Sequence, residues 1–198
     1  MNNIYIATTN QGKVKEFKQI LADLSIEVES LLDQFPDMDD VEETGKTFKE
    51  NAILKAETYS SRYQVPVIAD DSGLEVTALD GEPGIYSARY AGEAKNDSKN
   101  LEKVLAKLEE KQATNREAAF VCVMAFANPG HDTLTTEGRC EGSITTQPQG
   151  DQGFGYDPIF QPKGYESTLA ELGPEVKNEI SHRRQAINKM VEQLKTVL

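Results

Sequence analysis

With 198 residues, 38% hydrophobic and 27% charged, the chain is long enough for one sizeable domain with a buried core and too short for a large multidomain machine. Its formal charge of -12 opposes any partner that needs a basic stripe, which excludes nucleic acid as a ligand class. A small anion gripped by a few converging lysines is still allowed. No apolar run approaches the ~20 residues needed to span a bilayer. The opening "MNNIYIATTN" lacks the basic and apolar regions of an export signal. A cytoplasmic protein with no membrane partner is therefore expected.

Residues 3 to 8 read as a short strand, and Val14, Phe17, Ile20, Leu21 and Leu24 then recur at helical spacing. A strand near 26 to 31 leads into the acidic segment "DQFPDMDDVEETG". Phe48, Ala52, Ala56, Tyr59 and Tyr63 mark the apolar face of a second helix. The run "VPVIADDSGLEV", residues 65 to 76, reads as a buried strand whose tip carries Asp70 and Asp71. After a Gly/Pro-rich stretch, Leu101, Val104, Leu105 and Leu108 predict a third helix. "AAFVCVMAFA", residues 118 to 127, is a buried strand by length and β-branched content. Across "NPGHD" it pairs with a partly alternating strand to about 143, forming a hairpin. A Gly-rich loop, a short strand near 158 to 160 and a terminal helix bearing Ile187, Met190, Val191 and Leu194 follow. Strands alternating with helices, plus one long hairpin, give an α/β fold around a mixed sheet, with ligands expected at loops on strand ends. Cys122 and Cys140 lack the close spacing of a zinc site and are expected to be structural.

Five segments could carry chemistry. In "ATTNQGK" Thr8, Thr9 and Asn10 supply side-chain donors, Gly12 allows close backbone approach, and Lys13 opens a helix whose free N-H groups favour an anion. That set suits a phosphate chain, although Thr/Asn capping with a solvated lysine would give the same letters. In "VEETGKTFKENAILKA" Glu42 and Glu43 precede a helix on which Glu50 and Asn51 open the second turn and Lys55 follows one turn after Asn51. The two glutamates are either dipole-favoured surface residues or ligands of a hard cation such as magnesium, with Asp70 and Asp71 as further oxygen donors.

Strand alternation sends Asp70 and Asp71 to opposite faces unless the chain turns at "DDSG", so one acid would serve a site and the other support it. Like charges side by side require a metal, a lysine or a proton nearby. In "QGDQGFGYDPIF" glycines surround Phe154, Tyr156 and Asp157, and an aromatic on such a loop could stack on a planar base. In "EVKNEISHRRQAI" Ser181 could cap the terminal helix. His182, Arg183 and Arg184 then fall in its first turn, where the dipole disfavours cations unless an acceptor is near.

Taken in order, "TTNQGK", "EETGKTFKENAILKA", "ADDSGLEVTALDGEPGIYSARYAG", "GFGYDPIF" and "KNEISHR" resemble the inosine/xanthosine triphosphate pyrophosphatase family over nearly the whole chain. The resemblance implies one domain spanning 1 to 198, built as an elongated mixed β-sheet flanked by helices in two lobes with the active site in the cleft between them, in a homodimer. It implies magnesium-dependent hydrolysis of ITP, dITP and XTP to the monophosphate and pyrophosphate. Thr8, Thr9, Asn10, Gln11, Gly12 and Lys13 would hold the triphosphate, and Glu42 or Glu43 with Asp71 would hold magnesium. Asp71 would be the general base, with Asp70 and Lys55 beside it and Ser72 touching substrate. Phe154, Gly155, Tyr156, Asp157, Lys177, His182 and Arg183 would hold the base. Donors from His182 or Arg183 aimed at a 6-keto oxygen would meet the 6-amino group of adenine, which would reject ATP. Two rival readings are a regulatory module that binds a purine triphosphate without turnover, and a phosphatase that releases orthophosphate.

Overall fold

A computed structural model describes residues 4–23, 27–92 and 95–197. Strand β1 (Ile4–Ile6) feeds helix α1 (Gln11–Asp23), and strand β2 (Val28–Ser30) runs directly into the short helix α2 (Leu31–Gln34). Val14, Phe17, Ile20 and Leu21 form the buried stripe of α1, as their spacing predicts, whereas Leu24 and the first residue of the expected second strand lie outside the described residues. Helix α3 (Phe48–Tyr63) buries Phe48, Ala52, Ala56 and Tyr59. Thr47 caps it by accepting from Glu50 N-H, so Glu50 stands in the first turn, one turn earlier than expected.

Strand β3 (Val67–Val76) corrects the reading of "DDSG". The chain does not turn there, and the two aspartates sit in mid-strand. Gly73 marks a close approach instead: a Cβ on it would lie 2.4 Å from Gly84 O and from Ser87 Oγ, and that same hydroxyl accepts from Leu74 N-H. The small residues after the acids thus make room for a neighbouring 3-10 segment (Gly84–Arg89) while the strand continues.

Helix α4 (Asp97–Glu110), capped by Asn96, buries Leu101, Val104 and Leu108. Strands β4 (Glu117–Ala127) and β5 (Leu134–Ile144) are sheet neighbours joined by a short connection, which can only return the chain antiparallel. The short strand expected near 158 to 160 lies later, as β6 (Phe160–Pro162). Pro158 instead helps to set a 3-10 turn over Asp157–Ile159.

Helix α5 (Leu169–Ile180) has no counterpart among the sequence expectations, and α6 (His182–Val197) is the terminal helix. Helix α5 escaped because Gly173, at φ 81°, breaks the helical path before Pro174 and interrupts its periodicity. Ser181 closes α5 as its C-terminal cap, with its N-H on Lys177 O.

The six strands form one mixed sheet in the order β2-β1-β3-β4-β5-β6. Strand β1 is parallel to β2 and to β3, with Ile6 opposite Ser30 and Ile68, while β5 and β6 are antiparallel. The chain divides into two compact units. Unit 1 comprises residues 1–71, 122–138 and 183–198, and its core contains Phe17, Ile20, Ile68, Met124, Phe126, Ile187 and Met190. Unit 2 comprises residues 72–121 and 139–182, with a core that includes Leu74, Leu79, Val104, Leu108, Phe120, Ile159 and Phe160. Cys122 and Cys140 are buried free thiols, one in each unit. Among the described residues no helix is long and apolar enough to cross a membrane.

Candidate active site

In unit 1, Asn10 caps α1: its side-chain oxygen accepts from Lys13 N-H, and its own N-H donates to Thr8 Oγ1. Capping thus accounts for the Thr/Asn letters, but Lys13 is more than a solvated lysine. Its ammonium donates to Asp70 Oδ2 at 2.9 Å, and Asp70 is only 2% exposed. On the same carboxylate, Arg183 Nε stands 3.9 Å from Oδ2, and the Arg183 guanidinium also donates to Glu16. Burial alone would raise the Asp70 pKa, yet Lys13, Arg183 and Lys55 together outweigh it and hold this carboxyl well below the usual range.

Asp71 lives in different surroundings one residue on. Asn51 Nδ2 donates to Asp71 Oδ2 at 3.0 Å, and Lys55 Nζ lies 4.0 Å from Oδ1. Lys55 makes its shorter bond, 2.7 Å, to Glu43 Oε1. Burial pushes the Asp71 carboxyl up and Glu43 adds to the push, while Lys55, Lys13 and the Asn51 bond pull down; the net result is about 6. Lys55 is raised despite its burial, because Asp71, Asp70 and Glu43 all favour its charge. The strand therefore carries one firmly ionised acid and, next to it, one pushed up to about 6.

In unit 2, the 150s loop and α5 build a second group. Lys177 donates to Asp157 Oδ2 at 2.6 Å in a buried ion pair, and its ammonium lies 4.3 Å from the centre of the Phe154 ring. Asp157 Oδ2 also accepts from Phe154 N-H, and Gly155 N-H donates to Asp97. Tyr156 is buried, with its hydroxyl donating to Ser87 O, and His182 stacks on Phe120 at 4.9 Å between ring centres.

The sequence matches the Ham1 family over residues 4–193. The chain belongs to the Ham1 family. It is 54% identical over 197 residues to a dITP/XTP pyrophosphatase of Oceanobacillus iheyensis, covering 100% of both chains. With a dITP/XTP pyrophosphatase of Geobacillus kaustophilus it shares 52% identity over 198 residues, covering 100% of this chain and 97% of the other. The solved structure of the Staphylococcus aureus Ham1 protein is 49% identical and superposes with a TM-score of 0.87, covering 99% of this chain and 100% of that one. A Ham1 protein from Coxiella burnetii, at 41% identity, gives the same TM-score.

Within this Ham1 chain, the residues singled out from sequence fall into distinct groups. Thr8 is half-buried and Thr9, Asn10 and Gln11 are exposed in the loop and first turn leading to Gly12 and Lys13. Of the two glutamates, Glu43 is the one tied to Asp71 through Lys55, while Glu42 is exposed. Ser72 follows Asp71 within β3. Phe154, Asp157 and Lys177 are brought together, with Gly155 between the first two. Arg183, expected with the base, engages Glu16 and Asp70, two carboxylates that favour a cation at the start of α6.

Glu16 was not foreseen, and Asn51 was named beside Lys55 without a role. Glu16 lies one turn from Lys13 on α1, and Asn51 one turn from Lys55 on α3. Helical spacing from an already chosen lysine would have pointed to both.

Proposed function

We propose that this chain hydrolyses the triphosphates of deaminated purine nucleosides, ITP, dITP and XTP, to the monophosphate and pyrophosphate. Full-length identity above one half to proteins named dITP/XTP pyrophosphatases supports the substrate class. The observation that carries the chemistry is Asp71, a buried carboxylate fixed by Asn51, flanked by Lys55 and pushed up to about 6. A general base works best when its pKa is near the working pH. Above that value Asp71 accepts a proton from a water that attacks the α-phosphorus. The bond to the bridging oxygen breaks, and pyrophosphate leaves with the electron pair. Thr8, Thr9, Asn10, Gln11 and Gly12 bind the triphosphate at the start of α1, and Lys13 trades Asp70 for a phosphate oxygen. Lys55 balances the charge beside Asp71, and Ser72 contacts substrate. The base stacks on Phe154 opposite the face occupied by Lys177. Gly155, Tyr156, Asp157 and His182 shape its surroundings, and Arg183 is a further donor to it.

Magnesium suits the donor set. Among the described residues no group of three or more His, Cys, Asp or Glu is arranged to hold a metal. Magnesium, however, asks for only one or two carboxylates beside phosphates and water. Two carboxylates, Glu43 and Asp71, share the one Lys55 ammonium, which leaves negative charge for a cation to balance. Glu43 or Glu42 with Asp71 would hold the ion, which when bound neutralises phosphate charge and polarises the reacting phosphoryl group. A homodimer and a cytoplasmic location belong to the same reading, and sedimentation and cell fractionation test them.

The deciding experiment incubates pure protein with ITP, dITP, XTP, ATP and GTP at fixed magnesium and identifies the products. Pyrophosphate from the first three is expected. Orthophosphate as the primary product, or tight binding without turnover, defeats the proposal.

A further inference from the structure

An asparagine in the second turn of a helix is a poor helix former, and a fully buried carboxamide is costly unless its donors and acceptors are satisfied. Asn51 is 0% exposed. Its two polar ends meet different parts of unit 1. Oδ1 accepts from Gly45 N-H at 2.7 Å, and Nδ2 donates to Asp71 Oδ2 at 3.0 Å. The amide can face only one way, because the reverse orientation would set oxygen against the carboxylate and N-H against N-H.

Gly45 belongs to this arrangement. A Cβ there would lie 2.5 Å from Asn51 Oδ1 and 2.8 Å from Glu50 Cβ, so only glycine lets the loop close to this distance. Two further bonds anchor the same turn: Lys46 N-H donates to Glu50 Oε2 at 2.6 Å, and Glu50 N-H to Thr47 Oγ1 at 3.1 Å. One turn along α3, Lys55 repeats the pattern with charge, bonding Glu43 Oε1 and facing Asp71 Oδ1. A neutral bridge and a charged bridge therefore run side by side from the 42–45 loop to the two oxygens of one carboxylate.

We infer that Asn51 is the positioning residue of the hydrolytic site: its carboxamide fixes the rotation of the Asp71 carboxylate and, through Gly45, ties that rotation to the loop carrying Glu42 and Glu43. Lys55 alone could not do this, since an ammonium is a rotatable point charge with no fixed plane. The inference deepens the proposed pyrophosphatase reading and rests on it for its consequence in turnover.

Three variants and one spectrum test it. Asn51→Ala removes both bonds, and Gly45→Ala displaces the amide from the loop side. Asn51→Asp keeps an acceptor for Gly45 N-H but cannot donate to Asp71. Each is expected to lower kcat for ITP roughly 10- to 100-fold, the usual cost of losing an orienting partner. KM should stay within about threefold, because the triphosphate loop is untouched. A purely structural role would lower thermal stability without that split between kcat and KM, which would overturn the inference.

The side-chain amide of Asn51 supplies a readout independent of turnover. In wild type its 1H–15N signals should exchange slowly with solvent, and Asp71→Ala should speed that exchange. Exchange unchanged by Asp71→Ala refutes the link even if the other variants misfold. If wild type releases no pyrophosphate, the pyrophosphatase reading fails while the spectrum still decides the positioning role.

Discussion

Asp70 and Asp71 are sequence neighbours in β3, yet one is held well below the ordinary carboxylate range and the other is raised to about 6. Both are buried, so burial does not divide them. The difference lies in their partners: Asp70 faces Lys13 and Arg183, while Asp71 shares Lys55 with Glu43. Adjacent acids pushed apart in this way separate a structural charge from a reactive one.

Their signs give opposite stability profiles. Asp71, with a raised folded pKa, contributes stability that is full below its unfolded value near 3.8 and lost as pH rises through about 6. At pH 8 the ionised form should cost the fold about 3 kcal/mol, and at pH 5 about half of that. Asp71→Asn should therefore abolish turnover and raise Tm at pH 8, with the gain shrinking toward pH 5. Thermal unfolding in chelator at both pH values checks this; an unchanged or lowered Tm at pH 8 contradicts the charge balance drawn here. Asp70, with a lowered pKa, should stabilise above the unfolded value and lose that stability on acidification.

Lys13→Ala should act twice. It removes a phosphate ligand, raising KM for ITP by about tenfold or more, since charge-assisted bonds are the strong ones. It also leaves buried Asp70 with Arg183 as its nearer remaining cation, which should cost about 2 kcal/mol of stability, less than a fully broken buried pair. Steady-state kinetics and urea unfolding separate the two effects.

Phe154 is half-buried beneath the Lys177 ammonium, and truncating it should spare the fold. For Phe154→Ala, the dissociation constant of a non-hydrolysable ITP analogue should rise by roughly 5- to 150-fold, the equivalent of one lost base stack. Calorimetry measures it. Unchanged affinity would assign the ring to packing.

Chelation of magnesium should stop turnover, and its return should restore it. The ion should also raise the Tm of wild type by mass action but not that of Asp71→Asn, which lacks a ligand. A Tm gain equal in both proteins would remove Asp71 from the metal site.

How far the sequence led depended on the range of each interaction. Local signals served well: the apolar stripe of α1, the apolar face of α3 and the long β4 run are all written within a few residues. Thr168 and Glu171 form the capping box of α5, a local signal that went unread because Gly173 and Pro174 break the helical period after it. The acids of "DDSG" were placed at a strand tip, with a turn left open because Asp, Ser and Gly favour turns, while the reason for Gly73 is Ser87, another part of the chain. In the site, Lys13 and Asp71 were legible as residue types. The pairing of Arg183 with Glu16 and Asp70 was not legible, because these acceptors are distant in sequence and carry no local mark.

The Glu16–Arg183 pair spans 167 positions. At cellular synthesis speeds of about 5 to 20 residues per second, the carboxylate on α1 waits on the order of ten to thirty seconds for its guanidinium. Until then Asp70 has Lys13 but lacks its second cation, so a chain stopped short of α6 carries a half-neutralised centre. Helix α6 thus acts as a latch, and the acid beside the first strand–helix unit is fully matched only once Arg183 has been made.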